Sequence, residues 1–274
     1  MRSRRPAAII GLVVILALAS PSAAGAASYP KSMASTGDSI TTAYNTGLFP
    51  YTDNPSASWS TGTSTTVNSH YLRLLRLNPN IQGRNYNDAA GGAKMVNLAG
   101  QMQKAVAQRV QYVTVLMGGN DLCTASVGTM TSVANFRSQL TTAMNTLTSG
   151  LPSVRVLVVS IPNAYRLWQL FKDNFFARTV WATFRVCQSL LANPLSTATA
   201  DVARRDAVRQ RNQAYNDVLR DICALYSQCR FDGYAVFNTV FTASDITGRD
   251  YFHPSSPGQA KLASVSWAAG YWPN

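Results

Sequence analysis

Two runs, Tyr112 to Met117 (YVTVLM) and Arg155 to Ile161 (RVLVVSI), constrain this chain more than any other feature. Both are short, rich in β-branched residues and apolar at successive positions, so a strand formed by either would bury both of its faces. A sheet with such strands at its centre needs a layer of structure on each side. Further β-like runs lie at Ser32 to Thr36, at Arg84 to Ala89 and, more weakly, at Tyr234 to Phe237. Helical patterns separate them at His70 to Arg76, Leu98 to Arg109, Thr131 to Thr148, Ala200 to Tyr226 and Gly258 to Ala269. Alternating strands and helices predict an α/β fold, a three-layer α/β/α sandwich around a central parallel sheet of about five strands. No long linker or internal repeat divides residues 27–274, which predicts one domain.

In sheets of this kind, chemistry gathers at the carboxyl ends of the strands. Gly37-Asp38-Ser39 follows the first run, Gly91-Gly92 the second and Gly118-Gly119-Asn120-Asp121 the third. Each is also ordinary turn composition. Their recurrence at one sheet edge is what favours a chemical reading.

A serine hydroxyl becomes a useful nucleophile only beside a base, and that base is usually oriented by an acid. The chain has two histidines. His70 sits beside Tyr71 and Leu72 in a helical pattern, where a structural imidazole is the ordinary outcome. His253 lies in Asp250-Tyr251-Phe252-His253-Pro254, just before the last helix. The three-residue step from Asp250 lets a tight loop aim the carboxylate at one ring nitrogen while the other faces a serine; a loop turn with a solvated salt link is the alternative. Gly92 and Asn120 are suitable donors to a developing oxyanion, or else punctuation at strand ends.

Four ordered blocks carry a family resemblance. Gly37-Asp38-Ser39-Ile40 resembles the first block of the SGNH (GDSL-type) hydrolases, and Asn87 to Ala93 the second, with Gly92 in the glycine position. Gly118 to Asp121 is similar to the third, and Asp250 to Pro254 to the last. Ile40 stands where the older family name has leucine, and Gly91 where many members have serine. The resemblance implies a flavodoxin-like three-layer fold and no cofactor. It casts Ser39 as nucleophile, His253 as base and Asp250 as the orienting acid, with the Ser39 amide, the Gly92 amide and the Asn120 side chain as the oxyanion hole. Asp38 is not the expected triad acid, because neighbouring side chains on an extended turn diverge. Ser58-Trp59-Ser60-Thr61-Gly62, and Leu122-Cys123 after the third block, resemble the phospholipase-B-like branch.

The N-terminus reads as a secretory signal peptide over residues 1–26, with Arg2, Arg4 and Arg5, an apolar run from Ala7 to Ala19 and Ala24-Gly25-Ala26 at the cleavage point. A membrane anchor is the competing reading, but the run is short for a span. Losing three arginines and no acid would lower the net charge from +12 to +9. That sign draws anionic partners, such as acidic lipids, polysaccharides or nucleic acid, to the surface without choosing among them, and solubility alone is the competing reading. Nucleic acid is not expected as a partner. A secreted, extracellular monomer without a transmembrane segment is expected. The four cysteines then favour two disulfides over a zinc site, for which no Cys-x-x-Cys pair exists. Of three connectivities, Cys123 with Cys187 and Cys223 with Cys229 is preferred, the latter for its short loop.

Residues 163–200 read as a helical, aromatic-rich insertion. Trp168, Phe171, Phe175, Phe176, Trp181 and Phe184 alternate there with Arg166, Lys172, Arg178 and Arg185. Such a helix can lie in a lipid surface, or pack on the core and line an acyl pocket. Acyl esters of lipids or phospholipids are the expected substrates, with short-chain, aryl or carbohydrate-acetyl esters as the alternative. A non-catalytic polyanion-binding module is the rival class.

Overall fold

The structure, a computed structural model, describes residues 29–273. The proposed signal peptide therefore lies outside the described residues. The chain runs β1 (Met33–Gly37), α1 (His70–Leu77), β2 (Asn85–Asn87), α2 (Leu98–Ala107), β3 (Tyr112–Leu116), α3 (Gly119–Leu122), α4 (Val133–Gly150) and β4 (Arg155–Val158). It continues through α5 (Ala164–Phe171), α6 (Phe175–Thr183), α7 (Gln188–Leu191), α8 (Thr199–Cys223), β5 (Cys229–Phe231), α9 (Ala235–Asn238) and α10 (Ser256–Ala268). The five strands pair in parallel in the order β2-β1-β3-β4-β5. The reversal of strand order around β1 and β3 opens a crevice at their carboxyl ends.

The two-residue period of the strands sorts their side chains into two cores. Ala34, Val113, Val115, Val156 and Val158 face α2, α4 and α8, while Met33, Tyr112, Leu116 and Leu157 face α1 and α10. Burial on both faces of β3 and β4 follows from this layering. α4 shows the matching helical logic: Phe136, Leu140, Ala143, Met144 and Leu147 form one buried stripe. Ser132 begins that helix by accepting from the Asn135 amide at 3.1 Å.

One expectation fails. Tyr234 to Phe237 is not a strand; Ala235–Asn238 forms α9, and the fifth strand is Cys229–Phe231. Gly233 and Tyr234 take left-handed backbone (φ +63° and +64°). The Asp232 carboxylate then accepts from the amides of Tyr234 and Val236, which caps a helical turn.

Both disulfides join as expected, Cys123 to Cys187 and Cys223 to Cys229. The first fastens the start of α7, at Cys187, to the end of α3, at Cys123. The second ties α8 to β5. Among the described residues, no helix is long and apolar enough to cross a membrane.

His70 is fully buried between Trp59 and Trp267. Its Nε2 lies 2.8 Å from Ser266 Oγ, whose own proton goes to the Leu262 carbonyl at 2.6 Å. Nε2 must therefore donate, and Nδ1 accepts from the Tyr112 hydroxyl at 3.0 Å. Burial first, then the Arg73 charge, lowers this imidazole to about 3, so it stays neutral. His70→Ala should destabilise the fold by about 2–4 kcal/mol, through a cavity and an unpaired Tyr112 hydroxyl. The unfolded parent takes up a proton below pH 6.5 that the folded His70 refuses, so parental stability falls with acid and the deficit of the variant should shrink. Urea denaturation of both proteins at pH 7 and pH 5 checks the size and the trend.

Candidate active site

The β1 strand ends in a turn clamped from two sides. Gly37 has φ +153°, and a Cβ there would lie 2.5 Å from the Leu116 carbonyl oxygen and 2.5 Å from Thr41 Oγ1. Only glycine fits such an approach. The Gln101 amide of α2 brackets this residue, accepting from Gly37 N at 2.8 Å and donating to its carbonyl at 2.9 Å. From α10, Gln259 donates to the Ile40 carbonyl at 2.7 Å and accepts from the Trp59 amide at 3.0 Å. Ser39 sits between the two clamps.

The loop before α10 is equally tied. Asp250 Oδ1 accepts from the amides of Phe252 at 2.9 Å and His253 at 3.0 Å. An antiparallel bridge joins Ile246 to Pro254, and Thr247 N donates to the His253 carbonyl at 2.9 Å. Asp250 Oδ2 faces His253 Nδ1 at 2.7 Å, and His253 Nε2 lies 2.8 Å from Ser39 Oγ. Because Nδ1 faces a carboxylate it carries the proton, so Nε2 accepts from the Ser39 hydroxyl. Burial acts to raise the Asp250 carboxyl, but the hydrogen bonds and charge of His253 and the Asn45 amide outweigh it and hold it below its usual value. The pair is not solvated: the side chains of His253 and Asp250 are 14% and 10% exposed.

Asn45 is the site residue that sequence reasoning missed. It is buried, left-handed at φ +65°, and its Nδ2 donates to the same Asp250 oxygen that His253 uses. Its Oδ1 accepts from Tyr51 N at 2.5 Å. Asparagine tolerates left-handed backbone well, but that signal does not distinguish it from the many other asparagines here. Tyr44 and Phe252 flank the imidazole, at ring-centroid distances of 4.9 and 5.0 Å. Beside it opens a cleft of about 300 Å³ lined by Tyr44, Tyr51, Val180, Phe184, Val186 and Phe252 with the Asp250–His253 pair.

The other strand-end blocks close on the same edge. Ala90 N donates to the Gly37 carbonyl at 3.2 Å. Asn120 Nδ2 donates to the Ala93 carbonyl at 3.0 Å, and a Cβ on Gly119 would lie 3.3 Å from Asp38 Oδ2. Among the described residues, neither the Ser39 amide nor the Gly92 amide donates to a protein acceptor. Gly92 reaches its place with φ +75°. His70 is not brought here, and the described residues hold no cluster of three or more His, Cys, Asp or Glu side chains able to bind a metal.

The family model for GDSL-like lipase/acylhydrolase matches residues 35–265. The chain belongs to the GDSL-like lipase/acylhydrolase family. Lipases and acylhydrolases are by class carboxylic ester hydrolases. The chain is 25% identical over 272 residues to the membrane-associated phospholipase B1 of Mus musculus, a match covering 84% of this chain and 18% of that protein. The chain thus spans about a fifth of that relative's length. Its fold is similar to LAE5, an alpha/beta hydrolase enzyme from the metagenome of Lake Arreo, Spain (TM-score 0.54, 18% identity, 87% of this chain and 94% of the other). It is also similar to an extracellular lipase from Streptomyces rimosus (TM-score 0.52, 16% identity, 87% and 99%).

In this GDSL-like chain, Asp38 contributes to the turn rather than to the imidazole. Its Oδ1 accepts from Ile40 N at 2.9 Å. Burial pushes its carboxyl up to about 6, against the pull of the Ile40 amide and the His253 charge. A raised folded value means stability present at low pH and lost as pH rises from 3.8 through 6. Asp38→Asn keeps the acceptor and removes the charge. Its stability relative to the parent should improve by up to about 3 kcal/mol between pH 4 and pH 7. Denaturant unfolding at the two pH values measures this; a constant difference would refute it.

Proposed function

We propose that this chain is a secreted serine hydrolase of lipid acyl esters, phospholipids among them, acting through an acyl-enzyme. The observation that carries the reading is the continuous relay from Ser39 Oγ to His253 Nε2 and from Nδ1 to Asp250. Ser39 attacks the ester carbonyl while His253 takes its proton and returns it to the leaving alcohol. Water then releases the acyl group by the reverse sequence. Asp250, ionised and held by four donors, keeps the proton on Nδ1 and stabilises the imidazolium.

The Ser39 and Gly92 amides and the second hydrogen of Asn120 Nδ2 stabilise the oxyanion. The bond from Asn120 to the Ala93 carbonyl fixes the plane of that amide and joins it to the Gly92 turn. Removing one such donor costs about a hundredfold to a thousandfold in turnover. Asn120→Ala should therefore lose kcat in that range with KM little changed.

An acyl chain suits the cleft beside His253, whose walls are Tyr44, Tyr51, Val180, Phe184, Val186 and Phe252. The likeness to phospholipase B1 points to the same substrate class. Residues 1–26 act as the signal peptide, and residues 27–274 form one hydrolase domain with 163–200 as a helical insertion. Two disulfides suit an oxidising compartment.

Ser39→Ala and His253→Ala should each abolish hydrolysis of an aryl ester by the folded protein, while His70→Ala retains the parental kcat/KM. Parental turnover in Ser39→Ala would end the reading. Fatty acid released from phospholipid vesicles, measured against acetate released from a short-chain ester, tests the substrate class. Preference for the acetyl ester would replace the lipid assignment.

A further inference from the structure

Exposed apolar side chains surround the mouth of the cleft. The loop between Asn45 and Thr52 presents Leu48 and Phe49, 86% and 71% exposed. Tyr51 from the same loop meets Phe184 from the end of α6, ring centroids 6.2 Å apart, and both line the cleft. On α6, Phe176 precedes Val180 and Phe184 at four-residue spacing, so the apolar stripe runs from the cleft wall outward. Phe176 and Phe184 are 66% and 61% exposed. Contiguous exposed apolar surface beside a site marks an interaction surface.

The segment that supplies Phe176 and Phe184 is predominantly basic, while Asp53 borders the loop. Residues 164–191 carry Arg166, Lys172, Arg178 and Arg185 against Asp173, and only Lys172 pairs with that acid. Beneath the loop, the Arg249 guanidinium donates to the carbonyls of Asn45, Leu48 and Phe49. Among the described residues it has no carboxylate partner. The loop is also pinned at its base, where Asn45 N donates to the Thr52 carbonyl at 2.9 Å. A projecting apolar tip set on the Arg249 guanidinium, in a chain of net charge +12, matches the interface of an anionic bilayer, apolar groups among the acyl chains and cations at the phosphates.

We infer that the rim formed by Leu48, Phe49, Phe176 and Phe184 docks on an anionic lipid surface and holds the mouth of the cleft against it. The inference rests on the acyl-lipid reading above and names the surface from which such a substrate is drawn. Asn45 fixes the geometry: one side chain bonds both the base of the docking loop and the carboxylate behind His253. A lipid surface at the tip is thereby held at a fixed orientation to the reacting serine.

The test uses the full mature chain carrying Ser39→Ala, which binds without consuming the vesicles. It should sediment with phosphatidylglycerol vesicles, weakly with phosphatidylcholine vesicles, and less in high salt. Adding Leu48→Ser and Phe49→Ser should cut binding to phosphatidylglycerol by about tenfold or more, with an unchanged melting temperature. Equal binding by the two proteins would overturn the inference, as would equal binding to both lipids. A concentration-dependent dimer that the serine substitutions abolish would overturn it too, by assigning the rim to a second copy. Vesicle binding by a parent that hydrolyses soluble esters but no phospholipid would leave the docking standing and remove the acyl-lipid reading.

Discussion

The site depends on closing one very long loop. Ser39 and His253 are 214 residues apart, and a 2.8 Å contact between them requires both the end of β1 and the approach to α10 to be held independently. The buried Asp250 carboxylate is the point where these supports meet. An ionised group removed from water is tolerated only where donors replace its hydration. Here His253 supplies two donors, Phe252 one and Asn45 one. Three shape the loop around the imidazole, and the fourth reaches back to the segment after Ser39. The same bonds that offset the burial of the charge therefore set the distance from the His253 imidazole to the Ser39 hydroxyl.

The two glutamine clamps complete this arrangement by making the serine turn a property of the layers. Gln101 belongs to α2 on one face of the sheet, and Gln259 to α10 on the other. Gln101 brackets the last residue of β1, and Gln259 joins the Ile40 carbonyl of the turn to the Trp59 amide. The two side chains satisfy the backbone groups of Gly37 and the Ile40 carbonyl, and the position of the turn is referred to both helical layers. This is what a parallel sheet offers a site: strand ends fixed from above and below, with their last backbone groups free to be recruited.

What the sequence disclosed follows the range of the interaction involved. Burial of β3 and β4 on both faces, through Val113, Val115, Val156 and Val158 on one side and Tyr112, Leu116 and Leu157 on the other, is a local pattern, and the layered fold follows from it. Gly37, Gly92 and Gly118 stand where the backbone takes positive φ, so strand ends could be located from composition. Asn45 offered no such mark, since its role is defined by a partner 205 residues away. Gln101 and Gln259 are polar positions in helices and look solvent-facing, yet both are buried. The strand Cys229–Phe231 is too short to show a period. Tyr234 to Phe237 has strand-forming side chains, but Asp232 turns that backbone into a helix first.

The aromatic segment illustrates how one helix meets two demands. Ala177 and Trp181 of α6 enter the core, and Trp181 Nε1 donates to the Tyr251 carbonyl at 3.2 Å while Phe171 packs edge-on against the Tyr251 ring. The segment therefore buttresses the loop that carries His253, and the Cys123–Cys187 disulfide fastens it to the helix that carries Asn120. With one face committed in this way, the 3.6-residue period leaves the stripe through Phe176, Val180 and Phe184 turned about a quarter-circle away. Core packing cannot use that stripe, and a purely structural helix would carry polar residues there. Its apolar character is accounted for by the cleft at one end and by what lies beyond the cleft at the other.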